Sequence, residues 1–163
     1  MTELDSKLTE PLALHLIGGF ALSFFYGLGR STADIDYYTA VPADLNLDVV
    51  AGEGSALAKK YKVRLHRVAV TNLPEDYETR LAEMVPRQFK SLKLLVPDPY
   101  DCILSKLERN SSKDRDDAEY LFKAQKLDSQ RLRERYEKEL RPYLANVARH
   151  DLTLKLWLEI FES

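Results

Sequence analysis

Residues 14–36 of the chain read LHLIGGFALSFFYGLGRSTADID, and the order of these residues decides the fold. A short apolar run ends on Gly18 and Gly19, and an apolar segment that is compatible with a helix follows the two glycines. A loop with one arginine and two hydroxyl residues then leads to Asp34 and Asp36, which open the next strand candidate. This pattern predicts a strand, a tight turn, a buried helix and a second strand.

Asp34 and Asp36 are separated by one residue, and side chains alternate between the two faces of a strand. We therefore expect both carboxylates on one face and Ile35 in the core. Mg²⁺ is typically bound through one or two carboxylates together with phosphate oxygens, and Mn²⁺ is an alternative ion for such a site. The pair is a candidate metal site; the alternative is a capping aspartate beside a solvated strand residue.

The two glycines are candidates for binding phosphate groups. Without side chains they let the backbone approach a polyphosphate, whose charge is favoured at a helix N-terminus. An ordinary strand-to-helix turn is the alternative explanation for Gly18 and Gly19. Arg30 and Ser31 lie in the loop before the carboxylates and are candidates for contacting the same phosphates, although a surface position suits Arg30 equally well.

This constellation resembles the signature of the nucleotidyltransferase superfamily, a Gly-Gly or Gly-Ser turn, a helix, and then Asp-x-Asp or Asp-x-Glu on a strand. Within the superfamily, the chain is most similar to small bacterial proteins related to the toxin components of AbiE-type toxin–antitoxin systems. The resemblance implies a minimal nucleotidyltransferase fold of the α/β (α+β) class, with a small mixed sheet flanked by helices and a C-terminal helical lobe. It also implies Mg²⁺-dependent transfer of a nucleoside monophosphate from a nucleoside triphosphate to an acceptor hydroxyl. The matching segments are GGFAL at 18–22, RSTADID at 30–36, PYD at 99–101, KLER at 106–109 and KDRDD at 113–117.

The second half of the chain contributes a pair of basic residues. Lys106 and Arg109 are three residues apart, so both side chains can reach one anion from the same helical face. In the resembling family, the lysine of this segment helps to hold the phosphates of the nucleotide. Lys106 is therefore a candidate catalytic and nucleotide-binding residue, and Arg109 a candidate nucleotide-binding residue. The alternative is a solvated helix whose lysine pairs with Asp101 or Glu108.

Acidic residues follow these basic ones at the start of another predicted helix. The resemblance implies that one aspartate of this segment faces the active site, which makes Asp117 a catalytic candidate and Asp114 a nucleotide-binding candidate. We expect Asp116 to point outward. The alternative for both candidates is helix capping, because Ser111 and Asp114 have the spacing of a capping box.

One carboxylate of the family pattern is missing. Active nucleotidyltransferases usually carry a third carboxylate on a later strand, but the strand predicted over residues 63–70 contains no acidic residue. Three interpretations remain open at this point. Asp114 or Asp117 completes the site; His66 serves as the general base; or the site is degenerate, and the protein is a non-catalytic binding or regulatory partner.

Composition places few further limits on function. The chain has 163 residues and a net charge of −2, which fits one ordinary core and gives no global preference for nucleic acid. A single cysteine, Cys102, excludes an internal disulfide, suits the cytoplasm and is expected to be buried. The acidic start argues against a secretory signal, and the nearly uncharged residues 12–29 are better explained by a strand, turn and helix than by a membrane span.

The remaining periodicity predicts an α/β core over residues 1–97 and a helical lobe over residues 98–163 that packs on it. The basic run at residues 59–67 is a candidate patch for RNA phosphates, or alternatively a solvated helix end. Candidate partners are an acceptor RNA (tRNA in particular) or protein, a cognate antitoxin or toxin, and a second copy of the chain. The predicted elements are a helix with a glycine interruption at 44–61, strands at 63–70 and 89–96, a short helix at 77–84, a helix beginning at 99, one ending near 142, and a last helix at 152–161 that packs on its own domain.

Overall fold

The computed structural model describes residues 1–163, and these divide into two compact units. The first unit consists of Met1–Ala69 and Leu81–Pro97, and the second of Val70–Arg80 and Asp98–Ser163. The first unit is a mixed α/β fold with a five-stranded sheet flanked by helices, as the sequence predicts.

The first unit holds all the strands. Its elements in chain order are α1 (Thr2–Lys7), β1 (Leu12–Leu16), α2 (Gly18–Phe24), β2 (Asp34–Val41), α3 (Leu47–Ala51), α4 (Ala56–Tyr61), β3 (Arg64–Arg67), β4 (Ala82–Met84) and β5 (Leu92–Val96).

The sheet has the strand order β3-β2-β1-β5-β4. β1 pairs with β2 in the antiparallel sense and with β5 in the parallel sense, while β2 and β3 are parallel. Leu12 and Leu14 on one face of β1 and His15 on the other face are all buried, as expected for a central strand covered on both faces. The strand that carries the two aspartates therefore lies between the central strand and an edge strand.

The second unit is helical apart from short turns. Asp98 caps its first helix by accepting the backbone N–H of Asp101 at 2.9 Å, and Pro99 occupies the first helical position. Trp157 and Phe161 of the last helix are buried, as predicted. The elements are a 3₁₀ turn (Tyr77–Arg80), α5 (Pro99–Leu104), α6 (Ser112–Ala124), α7 (Ser129–Arg135), a π-helical turn (Tyr136–Leu140), a second 3₁₀ turn (Arg141–Tyr143) and α8 (Val147–Phe161).

Three predicted elements differ from the structure. The segment 77–84 is not one short helix, because only Tyr77–Arg80 forms a 3₁₀ turn and Ala82–Met84 pairs with β5 as a strand. The strand predicted at 63–70 extends only over Arg64–Arg67. The last helix begins earlier than residue 152, because Asn146 accepts the backbone N–H of Arg149 and caps it. None of the helices has the length and apolar character needed to cross a membrane.

Candidate functional site

Asp34 and Asp36 open β2 and lie on the same face of the sheet, as the alternation predicts. Ile35 between them is buried, whereas the side chains of Asp34 and Asp36 are 39% and 24% exposed. Both carboxylates are thus rigidly based on a strand and accessible to a ligand.

The parallel strand β3 places a basic residue opposite each aspartate. In the register of the two strands, Asp34 faces Arg64 and Asp36 faces His66. Nε of Arg64 donates to Oδ1 of Asp34 at 2.7 Å, and Nδ1 of His66 lies 2.9 Å from Oδ1 of Asp36. The position where the family pattern has a third carboxylate is therefore occupied by two basic side chains.

Arg64 joins two carboxylates. Its Nη1 forms an ion pair with Glu53 of the loop between α3 and α4, while its Nε holds Asp34. The hydrogen bond that Arg64 donates to Asp34 is the main reason why the pKa of Arg64 is raised above its usual value, so its charge persists at any working pH. The pairing of Arg64 with Asp34 and Glu53 was not predicted from the sequence. The sequence offered one signal for it: residues 64 and 66 are separated by one residue, as are residues 34 and 36, so each pair lies on one face of its strand.

The position of Gly18 requires glycine because its φ is positive and because the side chain of Asp36 lies against it. Its φ of +71° lies in the left-handed region, and a Cβ added there would lie 2.5 Å from Oδ2 of Asp36. The backbone N–H of Ile17 also donates to the carbonyl oxygen of Asp36 at 3.0 Å. The glycine turn and the second aspartate are therefore in direct contact, which the sequence spacing alone did not show.

The loop after α2 is anchored close to these residues. A Cβ at Gly19 would lie 3.7 Å from Nη2 of Arg30 and 3.7 Å from Oγ1 of Thr32. The backbone N–H of Asp34 donates to Oγ1 of Thr32 at 3.3 Å, and this hydroxyl donates to the carbonyl oxygen of Asp34 at 3.0 Å. The structure thus brings the Arg30 guanidinium to the glycine turn, whereas Ser31 is exposed. Thr32 fixes the loop through its hydrogen bonds with Asp34, and this role was not predicted from the sequence.

The residues of this group fit a hard divalent cation. Asp34 and Asp36 each retain a second carboxylate oxygen besides the one bound to Arg64 or His66, and carboxylate oxygen is the ligand that Mg²⁺ prefers. No group of three or more His, Cys, Asp or Glu side chains is arranged to hold a metal ion by itself. The two carboxylates therefore suit an ion whose remaining ligands come from phosphate and water.

The second unit contains a separate buried charge cluster around Lys106. α5 ends at Leu104, so Lys106 and Arg109 lie in the turns after the helix and not on one helical face. Lys106 is only 7% exposed, and its Nζ donates to Oδ2 of Asp117 at 2.9 Å and to Oδ1 of Asp114 at 3.3 Å. The alternative of a solvated lysine paired with Asp101 or Glu108 is wrong.

Asp114 caps a helix and binds both basic residues. Its Oδ2 accepts the backbone N–H of Ser111 at 3.1 Å, which completes the predicted capping box of α6, and it accepts Nε of Arg109 at 2.7 Å. Burial alone would raise the pKa of Asp114, but hydrogen bonds from Arg109 and Ser111 and the charge of Lys106 outweigh it and hold that pKa well below its usual value. The anion that Lys106 and Arg109 share is thus a carboxylate of the protein itself, while Asp116 points outward as predicted.

Comparison with known proteins identifies one family. A profile of the family described as "Nucleotidyltransferase of unknown function (DUF6036)" matches residues 1–162, which is nearly the whole chain. Neither the curated proteins nor the solved structures contain a match.

Proposed function

The chain belongs to the family of nucleotidyltransferases of unknown function (DUF6036), and from that premise we propose that it transfers a nucleoside monophosphate from a nucleoside triphosphate to an acceptor hydroxyl. The observation that carries the proposal is the contact between the glycine turn and the aspartate pair. A Cβ at Gly18 would lie 2.5 Å from Oδ2 of Asp36, so a phosphate approaching the turn would also meet the carboxylates. Phosphoryl transfer depends on positioning phosphates and metal together, and this contact supplies that arrangement.

Asp34 and Asp36 are the residues that would hold Mg²⁺ or Mn²⁺. When bound, such an ion offsets negative charge on the phosphates and on the leaving pyrophosphate. Gly18 and Gly19 form the turn at which the outer phosphates would bind, and the Arg30 guanidinium adds positive charge next to Gly19. Because Arg64 already neutralises part of Asp34, we expect weak metal binding without nucleotide and much tighter binding with it.

In the transfer step, the acceptor oxygen forms a bond to the α-phosphorus while the bond from that phosphorus to the pyrophosphate oxygen breaks. The hydroxyl proton needs a base, and His66 is the candidate that the geometry supports best. The carboxylate of Asp36 can only accept, so Nδ1 of His66 carries the proton in their 2.9 Å contact and Nε2 is left to receive another. Asp114 is poorly suited to this role because its low pKa reflects saturation by Arg109, Ser111 and Lys106.

The acceptor and the biological setting are proposed on the resemblance alone. The similarity to AbiE-type toxins favours an RNA 3′ end, tRNA in particular, over a protein hydroxyl, and it favours a cytoplasmic toxin–antitoxin pair. Roles for Lys106 and Asp117 in catalysis, and for Lys106, Arg109 and Asp114 in nucleotide binding, rest on the same resemblance. Fold and family membership do not decide these points.

A second candidate function is supported by the pairing across β2 and β3. If the ion pair of Asp34 with Arg64 and the hydrogen bond between Asp36 and His66 have replaced metal binding, the protein is a non-catalytic partner built on a nucleotidyltransferase fold. The two functions differ in whether the aspartates bind nucleotide and metal.

A thermal-shift titration with each nucleoside triphosphate, with and without Mg²⁺, tests the proposal. A ligand at about 100 times its dissociation constant adds about 2.7 kcal/mol, which corresponds to a rise of about 5–11 °C in Tm for a chain of this size. We expect a rise that requires Mg²⁺ and is lost in Asp36→Asn. The matched control is Asp116→Asn, because Asp116 is 69% exposed and pairs only with Arg115 at 3.9 Å.

No stabilisation by any nucleotide, or an equal rise in Asp36→Asn, would contradict the transferase proposal. The first of these outcomes would favour the non-catalytic partner.

A further inference from the structure

An open cleft of about 350 Å³ adjoins Asp34 on the side of α4 and β3. It is lined by small apolar side chains, Ala33, Ala58 and Val63, and by the charged residues Asp34, Glu53, Lys59, Lys62 and Arg64. We call it the Asp34 cleft. A volume of this size falls within the range of small-molecule sites, which typically combine an apolar surface with a few polar groups.

The Asp34 cleft is separate from the glycine turn. None of Gly18, Gly19 and Arg30 lines it, yet it shares Asp34 with the candidate metal site. A transferase needs a place for the donor and a place for the acceptor beside the same pair of carboxylates. With the phosphates of the donor assigned to the glycine turn, the Asp34 cleft is available for the acceptor.

The charges of the cleft divide into a paired group and an available group. Arg64 is bound to Asp34 and to Glu53, and these three side chains together carry one net negative charge. Lys59 and Lys62 are exposed and form no ion pair. Two available ammonium groups beside the apolar side chains of the cleft suit a ligand that carries phosphate on a sugar or base.

Lys62 also occupies an unusual backbone position. It follows α4 with a φ of +52°, a left-handed conformation that favours glycine at the end of a helix. A glycine there would relieve the backbone, and the Lys62 side chain forms no hydrogen bond or ion pair that the change would remove. This property makes Lys62→Gly a useful variant, because it removes the charge without removing a structural contact.

We propose that the Asp34 cleft binds a phosphate group of the acceptor and thereby presents an acceptor hydroxyl beside Asp34 and Asp36. The acceptor class is a phosphate ester with a free hydroxyl, such as the 3′ end of a nucleic acid strand or a small sugar phosphate. This inference rests on the proposed transferase function and adds to it the site at which the phosphate of the second substrate binds.

The test is fluorescence anisotropy with a 5′-fluorescein-labelled 12-nucleotide single-stranded RNA that ends in a 3′ hydroxyl, titrated at several salt concentrations. The double variant Lys59→Ala, Lys62→Gly is expected to bind at least about ten-fold more weakly, and its slope of log affinity against log salt is expected to be smaller by about 1.4. The matched control is Lys138→Ala, Lys155→Ala, which removes two exposed lysines elsewhere and is expected to bind like wild type.

Competition with unlabelled ribose 5-phosphate distinguishes the two sources of phosphate. Displacement only by oligonucleotide indicates a strand end, and displacement by ribose 5-phosphate at similar concentration indicates a small phosphorylated acceptor. The inference would be overturned if wild type does not bind the labelled RNA, or if wild type and the double variant bind it equally well.

The failure of this inference can be told from failure of the transferase proposal. The double variant is expected to keep the Mg²⁺-dependent thermal shift with nucleotide, because Lys59 and Lys62 do not contact the glycine turn. If the double variant shows a normal rise in Tm with nucleotide and unaltered RNA binding, only the proposed acceptor site is refuted. If nucleotide does not raise the Tm of wild type, both the transferase proposal and the acceptor-site inference are refuted.

Discussion

Replacing Lys106 by methionine is expected to cost much more stability than an ordinary lysine substitution. The ammonium group is 7% exposed and lies 2.9 Å from Asp117 and 3.3 Å from Asp114, whose side chains are 2% and 1% exposed. Methionine fills a similar volume but leaves two buried carboxylates without this cation. Removing one partner of a buried ion pair typically costs about 3–5 kcal/mol.

The neighbouring contacts place the expected loss at the lower end of that range. Asp114 keeps its hydrogen bonds from Arg109 and Ser111, so the main loss falls on Asp117. We expect the free energy of unfolding at pH 7 to fall by about 3 kcal/mol. For a chain of this size the corresponding decrease in Tm is about 6–12 °C.

The pH dependence follows from the pKa of Asp114. Burial by itself would raise that pKa, but Arg109, Ser111 and Lys106 hold it below the value of about 3.9 in an unfolded chain, so this carboxylate stabilises the protein above pH 4. The stabilisation is lost as the pH falls further toward the folded-state pKa. The penalty of Lys106→Met is therefore expected to be largest near pH 7 and to shrink as buried carboxylates become protonated.

Urea unfolding followed by circular dichroism at pH 7 and pH 4 measures both effects. Lys155→Met, an exposed lysine on α8, is the control and is expected to change the free energy of unfolding by less than about 0.5 kcal/mol. Adding Asp117→Leu to Lys106→Met is expected to recover part of the loss, because a buried carboxylate that has lost its ammonium partner is removed. Equal stability of the Lys106→Met and Lys155→Met variants would refute the assignment of Lys106 to a buried ion-pair cluster.

Three further substitutions test the geometry around the aspartates and the capping of α6. Gly18→Ala is expected to lower the free energy of unfolding by about 1–3 kcal/mol in thermal unfolding, since φ is +71° and the new methyl group would meet a carboxylate oxygen of Asp36. The control Gly29→Ala is expected to be neutral, because no atom lies within 4 Å of the Cβ position. Similar losses in the two variants would contradict the contact between Gly18 and Asp36. Arg64→Met is expected to tighten Mg²⁺ binding about five-fold in calorimetric titration with nucleotide present, because a positive charge leaves Asp34; unchanged or weaker binding would count against the metal site. Ser111→Ala is expected to cost about 1 kcal/mol in urea unfolding through loss of the cap, and no loss would disprove the capping box.

Features that depend on neighbours in the chain could be predicted from the sequence. The same-face placement of Asp34 and Asp36 follows from strand alternation, and the cap formed by Ser111 and Asp114 follows from their spacing. The segment 77–84 was misassigned because β4 exists only through its pairing with β5, a contact that no local pattern encodes.

The candidate site shows the same division. The sequence alone determined the glycine turn, the aspartate pair and the helix caps, because backbone conformation and side-chain alternation act over a few residues. Only the tertiary structure decided that Arg64 and His66 face the two aspartates and that Lys106 is buried between Asp114 and Asp117. The register of two strands 30 residues apart, and the burial of one charge by side chains from the next helix, depend on how distant segments pack, and that packing is set by the whole core together.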